Sequence, residues 1–143
     1  MSEGLNPKIW GPHAWFFLDS VVVNYPEKPT DFDKQNHHLL FNLLQYVLPC
    51  EICRQNYKEH FGLNPINDFV LSSKTNLVDW IIIMHNLVRK KHNKKPFTRD
   101  EFIDYYTNEY SDNNNFMYFG FGFVVLLLLV YIWITYYRRS NPI

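Results

Sequence analysis

Two cysteines stand as Cys50-Glu51-Ile52-Cys53 directly behind Pro49, and the 143 residues hold no third. A proline at the opening of a helix would put both sulfurs on one face of its first turn. The unpaired N–H groups of a helix start favour a thiolate, which lowers the thiol pKa and speeds disulfide exchange near neutral pH. The pattern therefore points first to redox chemistry. Half of a zinc site, or two buried thiols, would use the same residues. Zinc needs two further ligands at matching spacing, and His37, His38, His60 and His92 offer no such pairing. One C-x-x-C also excludes a small secreted domain built on a disulfide scaffold.

Two blocks flank the motif. Trp10-Gly11-Pro12-His13-Ala14-Trp15 precedes it, and Trp80 with His85-Asn86-Leu87-Val88 follows it. Taken singly, the tryptophans fit core packing, and a lone His85 fits a satisfied core histidine. Farther on, Arg89, Lys90, Lys91, Lys94, Lys95 and Arg99 place six cations in eleven positions without an acid. This is either a solvated helix face and loop or a seat for a phosphate-bearing ligand or an anionic surface.

The elements that must position these residues read as helices, because apolar residues recur at three and four rather than at two. A first helix is expected from Gly11-Pro12 to Asn24, ended by Tyr25-Pro26, and a second from about Asp31 to Leu48, broken by Pro49. A short third opens at Pro49-Cys50 and stops at Gly62. A fourth runs from roughly Lys74 to Lys91, with Leu77, Trp80, Ile81, Met84 and Val88 on one stripe and His85 on the same side. Thr98-Arg99-Asp100-Glu101 forms a capping box that starts a fifth. The expected fold is all-α, a four-helix bundle plus a short fifth helix, over residues 1–110. The usual small redox fold around C-x-x-C needs strands this chain does not offer.

Residues 111–115 read as a linker, residues 116–137 as a charge-free apolar run long enough for one C-terminal transmembrane helix, and residues 138–143 as a short basic tail. Tyr118 lies near one end of the run; Trp133, Tyr136 and Tyr137 lie near the other, as interface anchoring predicts. No positively charged N-terminal region leads into an apolar stretch, so no cleavable signal peptide is expected. The expected protein is a single-pass, C-terminally anchored one in contact with a lipid bilayer. Arg138-Arg139 argue for a cytosolic C-terminus, whereas a terminal anchor without a signal peptide argues for a cytosolic catalytic domain, the orientation favoured here. All fourteen acids and twelve of the fourteen cations precede the run, a net charge of −2 there. Binding to nucleic acid by bulk charge is not expected.

In order and spacing, these parts resemble the FAD-linked sulfhydryl oxidases of the Erv/ALR type over about residues 6 to 107. The resemblance rests on Trp10-Gly11-x-x-x-Trp15 with Tyr25-Pro26, on Leu48-Pro49-Cys50-Glu51-Ile52-Cys53, and on Trp80 and His85-Asn86-x-Val88 followed by Lys94-Lys95-Pro96. The compact form, with Asn6-Pro7-Lys8-x-Trp10-Gly11 and one cysteine pair, is most similar to versions encoded by large DNA viruses, which would make it a virion or host-membrane protein.

The resemblance implies a helical bundle holding FAD beside the disulfide. Trp10, Gly11 and Trp15 would line the flavin, Tyr46 would form a further wall, and His85, Asn86 and Val88 would contact flavin and adenosine. Lys94 and Lys95 would reach the pyrophosphate or ribose, and no metal is implied. Cys50 would be the outer sulfur attacked by substrate and Cys53 the inner one facing the flavin, with O2 accepting the electrons to give H2O2. The implied partners are protein dithiols, most plausibly a small thioredoxin-like protein, since the chain has no second cysteine pair to act as a shuttle; a homodimer stays open. Two positions depart from the family pattern: Asp19 stands in place of a histidine and Arg89 in place of an asparagine. The alternative reading is a tail-anchored helical interaction module whose C-x-x-C is structural or binds metal.

Overall fold

A computed structural model describes residues 4–111, 125–134, 136 and 137. Five α-helices carry the larger unit, which extends to Glu109. They are α1 (Pro7–Val23), α2 (Asp31–Val47), α3 (Glu51–Leu63), α4 (Lys74–Lys91) and α5 (Arg99–Tyr110), with one 3-10 turn, Val70–Ser72, between α3 and α4.

Helix α1 begins four residues before its expected start. Asn6 is extended and its side-chain oxygen accepts from the Lys8 N–H at 3.0 Å, while Pro7 takes the first helical position, where a missing N–H costs nothing. Pro12 consequently lies inside the helix and leaves the Lys8 carbonyl without its usual donor. Both residues are exposed, so water can take that carbonyl. Helix α3 likewise runs past Gly62, and the Asn64 N–H closes its last turn on the His60 carbonyl at 3.0 Å. Thr30 with Asp33 caps α2 reciprocally, and Thr98 with Glu101 does the same for α5.

Helix α1 packs on α4 and α2 on α3, with α3 also touching α4. The core between them holds Val22, Phe41, Leu77, Ile81, Met84 and Phe102, all buried. Each such side chain contributes about 1.5–3 kcal/mol by leaving water. Tyr25 spans from the end of α1 to the 3-10 turn, its hydroxyl donating to the Leu71 carbonyl at 2.9 Å. Trp80 is core: it meets Phe41 and Phe61 edge to face, and its indole N–H donates to the Asn64 carbonyl at 2.9 Å.

The expected transmembrane helix over 116–137 requires correction. Among the described residues, no helix is long and apolar enough to cross a membrane. Of the second unit's described residues, 125–134, 136 and 137 are helical, whereas crossing a hydrocarbon core of about 30 Å takes about 20 consecutive apolar helical residues. The remainder of the expected span, residues 116–124 and 135, lies outside the described residues, as do most of the linker and the basic tail. The single-pass anchored localisation, the bilayer contact and the cytosolic orientation that followed from that helix fall with it.

Candidate functional site

Cys50 is the N-cap of α3. Its backbone is extended, and its sulfur accepts from the Cys53 N–H at 3.2 Å. The two cysteines are joined as a disulfide with Cα atoms 5.1 Å apart. The helix thus begins one residue later than its expected opening, and Cys50 occupies the capping position rather than the first turn. The preceding peptide is braced by Arg54, whose guanidinium donates to the Leu48 carbonyl at 2.6 Å. Below the motif, Tyr57 fixes α3 to α2 by donating to the Phe41 carbonyl at 2.8 Å, and burial pushes its phenol pKa up.

Across the bundle, Trp15 of α1 and His85 of α4 stack face to face, centroids 4.1 Å apart and planes 4° from parallel. Phe97 meets His85 edge to face, centroids 5.2 Å apart. Asp19, one turn after Trp15, is fully buried. One of its oxygens lies 3.4 Å from His85 Nδ1 and accepts from the Tyr106 hydroxyl at 2.6 Å; the other has no hydrogen-bond partner among the described residues.

The segment after α4 is held by two side chains. Asn86 forms a double clamp on Phe97, its amide donating to the Phe97 carbonyl at 2.9 Å and accepting from the Phe97 N–H at 2.7 Å. Arg89 donates to the Lys95 carbonyl at 2.6 Å and lies 3.9 Å over the Phe97 ring. The chain reverses at Asn93, whose φ is +53, a conformation Asn tolerates better than most residues. The six cations divide accordingly. Lys91 pairs with Glu59 and Asn56, Lys95 with Glu101, and Arg99 with Asp79. Lys90 and Lys94 instead line a cleft of about 470 Å³ with Ile83, Asn86 and Leu87. Glu101 is held down to about 2 by hydrogen bonds from Lys95 and then from the Thr98 backbone.

Of the residues singled out from the sequence, Trp15 and His85 are in direct contact, Cys50 and Cys53 are bonded, and Asn86 and Lys94 share the cleft after α4. Val88 lies half-buried on α4, one turn beyond His85. Trp10 is half-buried, and its indole N–H donates to the Leu5 carbonyl at 3.1 Å. Gly11 has open space where a side chain would begin. Tyr46 is exposed on α2, and Lys95 turns to Glu101 rather than into the cleft. Sequence reasoning missed Phe97 as a neighbour of His85 and Tyr106 as a partner of Asp19, because these contacts arise only from the packing of separate elements. Asp19 and Arg89 stood out as departures, without any indication of what they bind.

A model of the Erv1 / Alr family matches residues 12–107. A probable FAD-linked sulfhydryl oxidase of Acanthamoeba polyphaga mimivirus is 43% identical over 100 residues, 70% of each chain. The mitochondrial FAD-linked sulfhydryl oxidase ERV1 of Saccharomyces cerevisiae is 30% identical over 87 residues, 61% of this chain and 44% of the relative, so this chain spans less than half of the yeast protein. The crystal structure of the FAD-binding domain of Erv1 from Saccharomyces cerevisiae superposes with a TM-score of 0.63 at 26% identity, covering 68% of this chain and 90% of that one.

Proposed function

The chain belongs to the Erv1 / Alr family, and on that premise we propose that it is an FAD-linked sulfhydryl oxidase that forms disulfides in protein substrates. The observation that carries the reading is the Cys50–Cys53 disulfide at the start of α3 in an all-helical unit that also stacks Trp15 on His85. The oxidase domain is assigned to residues 1–110.

The residues present fit FAD. A flat aromatic ligand matches the Trp15–His85 pair, the bare backbone at Gly11 leaves room for close approach, and the cleft with Lys90 and Lys94 has no acid in its lining to oppose a pyrophosphate. Trp10, Gly11, Trp15 and His85 are proposed to hold the flavin end, with Tyr46 and Val88 as further walls. Asn86 shapes the cleft by clamping its loop, and Lys94, with Lys95 behind it, supplies its charge.

A substrate thiolate attacks Cys50 Sγ; the Cys50–Cys53 bond breaks and the electron pair leaves on Cys53. A second substrate thiolate attacks the mixed disulfide, so the substrate departs oxidised and Cys50 is released as a thiol. FAD held by Trp10, Gly11, Trp15 and His85 would supply the two-electron acceptor for the reduced cysteine pair, with O2 as the terminal oxidant giving H2O2. The protein's task is to hold one sulfur toward the ring and the other toward substrate. With only one cysteine pair, the substrate must bring its own accessible dithiol, and a small thioredoxin-like protein would have to present it on a protruding segment.

The full chain should purify yellow with FAD and consume O2 with dithiothreitol. Folded, colourless protein without O2 uptake would overturn the reading.

A further inference from the structure

The mechanism requires attack at Cys50, yet Cys50 is only 5% exposed. The chain's own N-terminal segment lies against its backbone. Gly4 and Cys50 form an antiparallel bridge, the Leu5 N–H donates to the Pro49 carbonyl at 2.7 Å, and the Trp10 indole holds the Leu5 carbonyl from the other side. Gly4 makes this close approach possible. Its φ is +89, and a Cβ there would meet the Pro49 carbonyl and lie 2.7 Å from Cys50 Cα. Between this strap and the first turn of α3 runs a cleft of about 520 Å³, with residues 4–7 on one side and Cys50, Glu51, Ile52 and Gln55 on the other. Its apolar rim residues Leu5 and Ile52 are each 67% exposed.

We propose that the strap of residues 4–6 is a specificity-determining element of the oxidase site: it roofs Cys50, so that only a dithiol carried on a narrow extended segment entering this cleft reaches the sulfur. The inference rests on the oxidase reading. The step itself is unchanged: the substrate sulfur bonds to Cys50, the Cys50–Cys53 bond breaks, and the pair leaves on Cys53. What the strap controls is which thiolate gets there, since disulfide exchange depends on access to the attacked sulfur as well as on thiol pKa. A thiol flush with a folded surface is excluded by the roof. The site accepts dithiothreitol or a flexible C-x-x-C peptide.

Leu5→Pro removes the N–H that pins the strap to Pro49, and Gly4→Val forbids the close approach. In the full-length protein, each variant should raise kcat/KM for a reduced, folded thioredoxin at least about tenfold, while kcat/KM for dithiothreitol changes by less than about twofold. A readout independent of the flavin is the labelling of the lone Cys50 thiol in a Cys53→Ser background. There, either strap variant should speed reaction with a bulky polyethylene-glycol maleimide at least about tenfold, and iodoacetamide much less. Unchanged maleimide rates in a folded variant would overturn the proposal, as would an equal gain for both dithiol substrates. If Leu5→Pro loses its helical circular dichroism, Gly4→Val decides. Faster labelling together with a parent protein that consumes no O2 would overturn the oxidase reading and leave the roof standing.

Discussion

Tyr106 donates a 2.6 Å hydrogen bond to the carboxyl of Asp19, a residue 87 positions earlier that is entirely shielded from solvent. The contact ties α5 to α1 behind the Trp15–His85 stack, and it accounts for an acid at a position where the resemblance implied a histidine. A buried carboxyl requires donors. Tyr106 supplies one, and His85 Nδ1 lies 3.4 Å from the same oxygen.

Tyr106→Phe should therefore destabilise the protein by about 1–3 kcal/mol, the cost of leaving a buried acceptor without its donor. Asp19→Ala in the Tyr106→Phe background should cost less than it does alone, because the two residues act through one contact. Urea denaturation of the two single variants and the double variant measures this. Strictly additive losses would mean that the hydrogen bond contributes nothing to stability.

Asn86 makes a comparable prediction at the other end of the site. Its amide satisfies both backbone groups of Phe97, and Phe97 in turn borders His85 and carries Arg89 over its ring. Asn86→Ala should free the segment that bears Lys94 and Lys95 and weaken FAD binding at least about tenfold, roughly 1.4 kcal/mol. Asn86→Asp should be at least as damaging, because a carboxylate oxygen would then face the Phe97 carbonyl. Flavin titration by fluorescence quenching reads both. Unaltered affinity in Asn86→Ala would show that the clamp does not order the cofactor site.

Much of this arrangement was legible in the sequence, for identifiable physical reasons. The stripe through Leu77, Ile81, Met84 and Val88 located α4 at Lys74–Lys91, because a two-sided helix announces its period and Ser73 caps it locally. The Thr98–Glu101 box was equally readable, since both partners lie within one turn. The start of α1 was not, because two prolines compete for the first helical position and the side chain of Asn6 decides in favour of Pro7. Nor was the charge-free run 116–137 a guide to a membrane-spanning helix: hydropathy measures composition, and among the described residues no helix is long and apolar enough to cross a membrane. At the site, the order of the motifs indicated the chemistry. The strap over Cys50, the Asp19–Tyr106 bond and the division of the cations between protein partners and the cleft depend on tertiary contacts that leave no local trace.

Acid should reveal two separate losses of stability. His60 is buried, and its pKa is lowered from 6.5 by that burial and then by Lys91, against an opposing effect of Glu59. The unfolded chain thus takes up the proton first, so this contribution is full above about pH 6.5 and is lost as the pH falls through the folded-state value. Glu101 is lowered from 4.5 to about 2, so its contribution is full above pH 4.5 and disappears between there and about 2. Thermal melts across this range should show both limbs. His60→Gln should flatten the upper limb and Glu101→Gln the lower one. A melting temperature in His60→Gln that falls between pH 7 and 5 as steeply as in the parent protein would assign the upper limb to another group.

The two cysteines should fail in different ways, and the difference tests the direction of electron flow. Cys50→Ser and Cys53→Ser should each abolish turnover with dithiothreitol while leaving FAD bound, because the residues proposed to hold the cofactor lie mainly on α1, on α4 and in the segment after it. In Cys53→Ser, the remaining Cys50 thiol can exchange into a flexible single-cysteine peptide carried as a mixed disulfide with a small thiol, and neither Cys53 nor a second peptide sulfur is there to resolve the product. Adducts should therefore accumulate when this variant meets that peptide, and non-reducing electrophoresis would show them. In Cys50→Ser, the remaining thiol is proposed to face the cofactor, so few adducts should form. If Cys50→Ser accumulated adducts and Cys53→Ser did not, the outer sulfur would be Cys53, the strap would roof the sulfur facing the cofactor, and entry of substrate through the cleft beside Ile52 would have to be abandoned.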